Sequence, residues 1–246
     1  MSRIRIVGGG RAGRSFGTAL SQTGHEVAGI LHRTDDWSDA ARDVDAVLLA
    51  VPDRIVKPAA SVIAPDAAAA IVHLSGSLGL DVLGPHERRA SLHPLVTMPD
   101  PVVGALRLSG GAFFAVAGDH VATDLALGLG GHPIVVAAAD RAAYHAAACI
   151  AANHLVALMG QVERVAQSVG LPLEAFLPLA RGALEDVAML GPAGALTGPA
   201  SRGDRLTIEA HRSALAERER EGYDAGVALA GRLAARTART ARAWTS

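Results

Sequence analysis

Apolar positions along this chain follow two spacings. In the first half they gather in short runs bounded by glycine, proline or acidic residues, as strands do; from Asp140 on they recur every three to four residues, as on helices. The first run, Ile4-Arg5-Ile6-Val7, passes through Gly8-Gly9-Gly10 into an amphipathic stretch with Ala12, Phe16, Ala19 and Leu20 on one side. Gly24 is placed to cap that helix, and residues 26–31 read as a second strand. Residues 45–53 are nearly continuous in apolar character, which suits a strand buried on both faces of a parallel sheet, and Pro52 closes it. Residues 69–74 form another strand and end in Ser75-Gly76-Ser77. Residues 78–111 are less regular, with Ser91-Leu92-His93-Pro94-Leu95 as the recognisable piece; residues 113–119 and 132–136 read as two more strands around a short helix.

The helical spacing then takes over. It predicts one long helix over 140–169, capped by Asp140 and stopped by Gly170 and Pro172, and a second over 173–190. A Gly/Pro-rich stretch, 191–204, separates these from a third helix starting near Asp204 and a fourth at the C-terminus. There are no internal repeats or low-complexity linkers. The pattern as a whole predicts an α/β protein: an N-terminal Rossmann doubly wound parallel sheet over residues 1–138, followed by an all-α domain over 139–246.

The spacing Gly8-x-Gly10-x-x-Gly13 between strand and helix points to a dinucleotide. Gly8 permits the tight turn, Gly10 lets backbone approach a pyrophosphate, and Gly13 lets the helix pack closely on the sheet. The helix N-terminus offers unpaired N–H groups and partial positive charge to phosphates. Gly8, Gly10, Arg11, Ala12 and Gly13 are therefore candidate cofactor contacts. The tip of the second strand selects the cofactor. It reads His32-Arg33-Thr34, with Asp35 and Asp36 only afterwards. A guanidinium there matches a 2′-phosphate, which favours NADP(H) with Arg33 as the main contact. The alternative is a solvated Arg33, with Asp35 on the ribose of NAD.

Further candidates lie where strands end, because α/β folds bind ligands at the carboxyl edge of the sheet. Val51, Pro52 and Ser75 are candidate cofactor contacts there, and Ser77 a substrate contact. Asp53 reads as the N-cap of the following helix, and Ser75 is either a ligand contact or a turn hydroxyl. His93, held extended by Pro94, is either a substrate contact or a hydrogen-bonded core residue.

Composition narrows the class. The 246 residues are half hydrophobic with few aromatics, enough for a sizeable core. A net charge of −1 implies no bulk attraction to nucleic acid or an anionic membrane. The four arginines Arg232, Arg236, Arg239 and Arg242 share a helical face that reads as solvated. A single cysteine, Cys149, excludes an internal disulfide and fits a reducing compartment. A strand starting within three residues of Met1 leaves no room for a signal peptide, and Asn153 and His154 interrupt the best candidate for a membrane span, so a cytoplasmic protein is expected. Lys57 is the only lysine, leaving lysine-based chemistry one candidate on what reads as a surface helix. No histidine pair has zinc-like helical spacing near a carboxylate, so no metal is expected.

In the helical domain, His145, Cys149 and Asn153 are spaced i, i+4, i+8 and would share one α-helical face, with about 12 Å between His145 and Asn153. An asparagine on an apolar face is costly to bury alone, so Asn153 either caps a neighbouring helix end or faces a cleft. Arg202, just before a helix that Asp204 would cap, either binds a carboxylate or pairs with Asp204 at the surface.

Several of these motifs together resemble a known family. The glycine loop, Val51-Pro52-Asp53, His73-Leu74-Ser75-Gly76, His93-Pro94-Leu95, Tyr144-His145-Ala146-Ala147 with Asn153, and Thr197-Gly198-Pro199 with Arg202-Gly203-Asp204 and Thr207 look like bacterial Rossmann-like proteins with a C-terminal domain of unknown function. That group is similar to the phosphogluconate dehydrogenase-like superfamily, which includes ketopantoate reductases and pyrroline-carboxylate reductases. The resemblance implies NADP(H), an all-helical dimerisation domain and hence a homodimer, and a small carbonyl or imine acid as substrate. Where several superfamily dehydrogenases carry a lysine four residues before the helix asparagine, this chain has Cys149. The leading expectation is an NADPH-dependent reductase of a small carbonyl acid, with ketopantoate, in pantothenate synthesis, the best match. Asn153 would orient the carbonyl oxygen, His145 or His93 supply the proton, and Arg202, with Asp204 and Ser77, hold the substrate. The alternatives are a cyclic-imine reductase and a non-catalytic NADP(H)-binding sensor.

Overall fold

The computed structural model describes the backbone of residues 1–243 and the side chains of residues 1–236, so Arg239 and Arg242 lie outside the described side chains. In β1 (Arg3–Val7) Ile4 and Ile6 enter one hydrophobic core while Val7 enters another, because alternate strand residues face opposite sides of a sheet. The same division runs through β3 (Ala46–Leu49) and β4 (Ala70–His73): Ala46, Leu48, Ala70 and Val72 face one core, Val47, Leu49 and Ile71 the other. A sheet buried on both faces must be apolar on both, which is why these strands read as unbroken hydrophobic runs.

With β2 (Glu26–Leu31), β5 (Arg89–Pro94), β6 (Phe113–Gly118) and β7 (His132–Val135) they form a seven-stranded sheet in the order β2-β1-β3-β4-β5-β6-β7. Every pair is parallel except β5 and β6, the one departure from the parallel sheet expected from sequence. On one face lie α1 (Arg11–Gln22), α3 (Pro101–Leu108) and α4 (Val121–Gly128); on the other lies α2 (Asp53–Val62). Asp100 caps α3 by accepting from the Val102 and Val103 amides. Both β5 and α3 fall in the stretch the hydrophobic pattern left unresolved. The strand alternates Arg89, Ser91 and His93 with buried Ala90, Leu92 and Pro94, a period too short and too polar to stand out.

The chain divides into two compact units, Met1–Ala152 and Asn153–Ser246. The division falls later than residue 138 because α5 (Arg141–Cys149) is tied to the sheet through Arg141 and Tyr144, as described below. A π-helical turn, Ile150–His154, then leads into α6 (Leu155–Gln167). The expected single helix is therefore broken in pitch at Asn153, and the i, i+4, i+8 spacing from His145 does not carry through to it.

The second unit continues with α7 (Leu177–Ala195), interrupted at Gly191 (φ +70°, ψ +165°), close to the expected helix end, and with α8 (Pro199–Arg202), α9 (Arg205–Ala214) and α10 (Glu217–Ala243). Arg164 of α6 makes a bidentate pair with buried Glu219 of α10 at 2.7 and 3.1 Å, and Gln161 donates to the Glu219 carbonyl. His211 of α9 is joined to Tyr223 of α10 at 2.9 Å. Among the described residues of this unit, Ala166 alone of the hydrophobic side chains is buried. The helical run Ala138–Gln167 holds an 18-residue window with a mean hydropathy of 1.3, and so is by length and composition apolar enough to cross a membrane. The expectation that Asn153 and His154 prevent any such run is thereby corrected: these polar groups do not lower the average below that of a spanning segment.

Candidate functional site

The glycine loop has the geometry its spacing predicts. Gly8 has φ +115°, and a Cβ there would stand 2.3 Å from the Ala50 carbonyl oxygen. A Cβ on Gly13 would stand 1.8 Å from the Gly8 carbonyl oxygen, so α1 can approach the β1 turn only without one. Gly10, by contrast, faces open space with nothing within 4 Å, and it precedes α1 without any side-chain cap. The loop is thus a tight backbone cradle whose outer side is free, and the first amides of α1 have no capping side chain. These features fit a bound pyrophosphate.

That free side opens into a cavity of about 470 Å³ at the carboxyl edge of the sheet. Gly10, Arg11, Ala12, Val51, Pro52, Ser75 and His93 line it, which brings together seven of the residues singled out from sequence. Gly8 and Gly13 lie beneath the loop. Ala50, Asp53, Leu74, Pro94, Val96 and Met98 complete the lining.

At the tip of β2 the acidic residues are already engaged. Asp35 accepts from the His32 amide at 2.7 Å and Asp36 from the Ser38 amide at 2.9 Å. Arg33 is exposed and makes no hydrogen bond or ion pair among the described residues. The His32 imidazole lies against Gly9, where a Cβ would be 2.4 Å from its ring, so the strand tip adjoins the glycine loop.

Asp53 differs from its expected role as a helix cap. It is the first residue of α2, with Pro52 at the cap, and its Oδ2 accepts from the Ser75 hydroxyl at 2.9 Å and the Ser77 hydroxyl at 2.7 Å. The carboxylate therefore ties the β3 edge to the β4 edge. Ser75 Oγ also accepts from the Ser77 and Leu78 amides, so it serves the turn while lining the cavity.

Beside these serines stands a cluster that joins His93 and His145, both singled out from sequence, to Arg141 and Tyr144, whose contacts the sequence did not disclose. Arg141 is almost fully buried; its guanidinium donates to the Ser75 carbonyl at 2.8 Å and to Ser91 Oγ at 3.0 Å, while Nε has no partner. No carboxylate pairs with it among the described residues, and burial pulls its pKa down. His93 Nδ1 and the Tyr144 hydroxyl are 2.6 Å apart. The His145 ring meets the His93 ring edge-on, with centroids 5.9 Å apart, and Cys149 Sγ lies 3.9 Å from His145 Nε2. Gly76 makes room for both imidazoles, since a Cβ there would stand 2.6 Å from His145 and 2.8 Å from His93. Burial, then the neighbouring His145 and Arg141, push the His93 pKa down to about 4, and burial pushes that of Tyr144 up to about 12.

In the second unit, Asp204 caps α9 as expected, accepting from the Thr207 amide at 3.1 Å and the Thr207 hydroxyl at 2.7 Å; those bonds hold its carboxyl below the usual range. Arg202 ends α8 and forms no ion pair with Asp204. Asn153 lies in the π turn.

Residues 114–229 match the family described as a domain of unknown function (DUF2520). The match covers just under half of the chain and agrees with the C-terminal domain expected from the motifs. No curated protein matches the sequence. Among solved structures, the chain is similar to BF3122 from Bacteroides fragilis, provisionally named an NADP oxidoreductase, with 18% identity, 94% of this chain and 98% of that one covered, and a TM-score of 0.78. It is also similar to a reductive aminase from Aspergillus terreus in complex with NADPH and ethyl levulinate (16%, 94% and 94%, TM-score 0.69). A third is 1-pyrroline-5-carboxylate reductase from Streptococcus pyogenes (15%, 94% and 98%, TM-score 0.59). At these identities the likeness establishes a shared fold: a Rossmann-type sheet followed by a helical region.

Proposed function

We propose that this protein is an NADPH-dependent reductase of a small C=N or C=O substrate. The observation that carries the reading is the cavity itself, which puts the free side of the glycine loop and the His93 imidazole on one wall-to-wall space at the sheet's carboxyl edge. The backbone at Gly10, Arg11 and Ala12 would hold the pyrophosphate, and unpaired Arg33 the 2′-phosphate, Asp35 being occupied by its own loop. NADPH, when bound, supplies a hydride. The chain's part is to orient the acceptor, exclude water and deliver a proton to the product heteroatom.

Two substrate arms follow. The imine arm draws support from the names of two structural relatives, a pyrroline-carboxylate reductase and a reductive aminase. The carbonyl-acid arm, ketopantoate included, draws support from Arg141, a buried cation that disfavours an iminium and favours an anion nearby. Ser77, bound to the same Asp53 oxygen as Ser75, is a proposed substrate contact, with His93 ahead of His145 as donor because His93 lines the cavity.

The test is NADPH oxidation across a panel of 2-oxo acids and cyclic imines, run beside Arg33→Ala. Turnover of one class is expected, with the variant raising the KM for NADPH roughly tenfold or more while leaving that for NADH unchanged, the loss of a charge-assisted phosphate contact. NADPH binding without turnover of either class would instead make the chain a sensor.

We also propose that the second unit pairs with a second copy of itself. Leu158, Leu179 and Leu206 are exposed, and an apolar groove of about 760 Å³ is lined by Val162, Val165, Phe176 and Ile208. A unit that buries so little cannot offset its chain entropy alone, and a two-fold interface covers the same patch on both copies. Light scattering on the purified full chain should give twice the monomer mass at micromolar concentration. A monomeric mass, or recovery only with detergent or lipid, overturns this.

A further inference from the structure

Resting on the reductase reading, we infer that Tyr144 is the proton source behind His93: its hydroxyl hydrogen passes to His93 Nδ1 as His93 Nε2–H passes to the product heteroatom, with the Arg141 guanidinium stabilising the phenolate left behind.

The geometry sets the direction of the relay. The Tyr144 hydroxyl and His93 Nδ1 stand 2.6 Å apart, and no other partner for that hydroxyl is present among the described residues. An imidazole nitrogen is a far stronger acceptor than a phenol oxygen, and a phenol is a far stronger acid than a neutral imidazole. The O–H therefore donates to Nδ1, which leaves the proton of neutral His93 on Nε2. That nitrogen makes no hydrogen bond to the described residues and is not sealed away from solvent, whereas His93 lines the cavity. Nε2–H is thus the free end of a two-donor chain.

The charges facing His93 come from three elements. Arg141, Tyr144 and His145 face it from α5, Asp53 from α2 and His73 from β4. Burial first, and then His145 and Arg141, outweigh the opposing effect of Asp53, so the ring is neutral at working pH. A neutral imidazole is a poor acid alone. Coupled to a phenol it need not be, because the ring only exchanges one N–H for the other. When hydride adds to a carbonyl carbon, the oxygen gains a proton from Nε2, Nδ1 gains one from Tyr144, and the negative charge ends on the phenolate beside Arg141. Solvent restores the phenol after product leaves. Arg141, buried with no carboxylate to neutralise it, pulls the Tyr144 pKa down and so offsets part of what burial costs the phenolate, although burial on balance still holds that pKa up at about 12. Tyr144 and Arg141 act through His93 and are positioning residues.

The experiment is nitrogen NMR of the histidine side chains in the full-length protein, with His93 assigned by His93→Gln. The wild type should show His93 neutral from about pH 5 to 8, with a protonated Nε2 and a bare Nδ1. Tyr144→Phe should lose that fixed tautomer, and Arg141→Met should raise the pH at which His93 protonates. A wild-type His93 protonated on Nδ1, or charged near pH 7, overturns the relay whether or not the protein turns over any substrate. Total absence of NADPH oxidation with the expected tautomer would overturn the reductase reading, and the relay with it as a reductase step. With an active substrate, kcat for Tyr144→Phe should fall ten- to a hundredfold with the KM for NADPH unchanged, and wild-type kcat should stay flat between pH 5 and 8. An unchanged kcat, or an acid limb near pH 6.5 in the wild type, counts against it.

Discussion

Gly10→Ala is expected to leave the protein as stable as the wild type while raising the Kd for NADPH at least tenfold, and Gly13→Ala to lose both binding and stability. The contrast comes from what each new methyl would meet. At Gly10 nothing lies within 4 Å, so the substitution costs the folded chain no contact; it costs only the space through which a phosphate would approach the backbone. At Gly13 the methyl would sit 1.8 Å from the Gly8 carbonyl oxygen and 3.2 Å from the Ala50 side chain. The first of those is backbone, and it cannot swing aside. Either α1 lifts from the sheet or the loop opens, and overpacking of this kind costs about 1–3 kcal/mol. In a chain of this size that is a fall of roughly 2–4 °C in Tm for each kcal/mol. Thermal melts and fluorescence titration with NADPH on the two variants separate the effects. A Gly10→Ala protein that binds NADPH as the wild type does would remove the glycine loop from the cofactor site.

The loop could be read from sequence because everything that defines it is local: a strand, three glycines at fixed spacing and a helix, all within about twenty residues. The same holds for β3 and β4, whose burial on both faces writes itself into unbroken apolar runs. The chemistry behind the cavity's Ser75 and His93 is not local. Arg141 and Tyr144 find their partners at Ser75, Ser91 and His93, some fifty or more positions earlier, and nothing in the spacing of the helix that carries them marks those contacts. One hint was present. A chain with only two tyrosines places one of them beside a histidine in an alanine-rich helix, where an apolar residue would pack more cheaply. Asp53 shows a different limit. An acidic residue after a proline at a helix start fits a cap by every local rule, yet its oxygens serve the Ser75 and Ser77 hydroxyls across the sheet edge. Asn153 shows a third, since a single π turn changes which face a residue occupies without any change in composition.

Stability of the folded chain should fall as pH drops from about 6.5 to about 4, and the largest single share of that fall should come from His73. This histidine is fully buried at the end of β4, its Nδ1 accepting from the Ser75 amide at 3.2 Å. Burial first, and then the Arg141 cation, bring its pKa down to about 4. Unfolded, it titrates near 6.5. Between those values the unfolded chain binds a proton that the folded chain refuses, so stability rises with pH through the window and is lost as pH falls. Below about 4 both forms are charged and the loss levels off. One such proton is worth about 1.4 kcal/mol per pH unit, so His73 alone contributes on the order of 3 kcal/mol across the window. His93 moves in the same direction but contributes less, being partly exposed. The carboxylates of Asp119 and Asp204, held below their usual range by hydrogen bonds, weaken the fold at lower pH, where they finally protonate. Urea unfolding at fixed protein concentration from pH 4 to 7 measures the slope, and His73→Asn keeps an acceptor for the Ser75 amide while removing the titration. The variant's profile should be flatter than the wild type's by up to about 1.4 kcal/mol per pH unit. A wild-type profile that is flat across that window would mean that water or a carboxylate reaches His73 in solution, and the same opening would let charge reach His93 beside it.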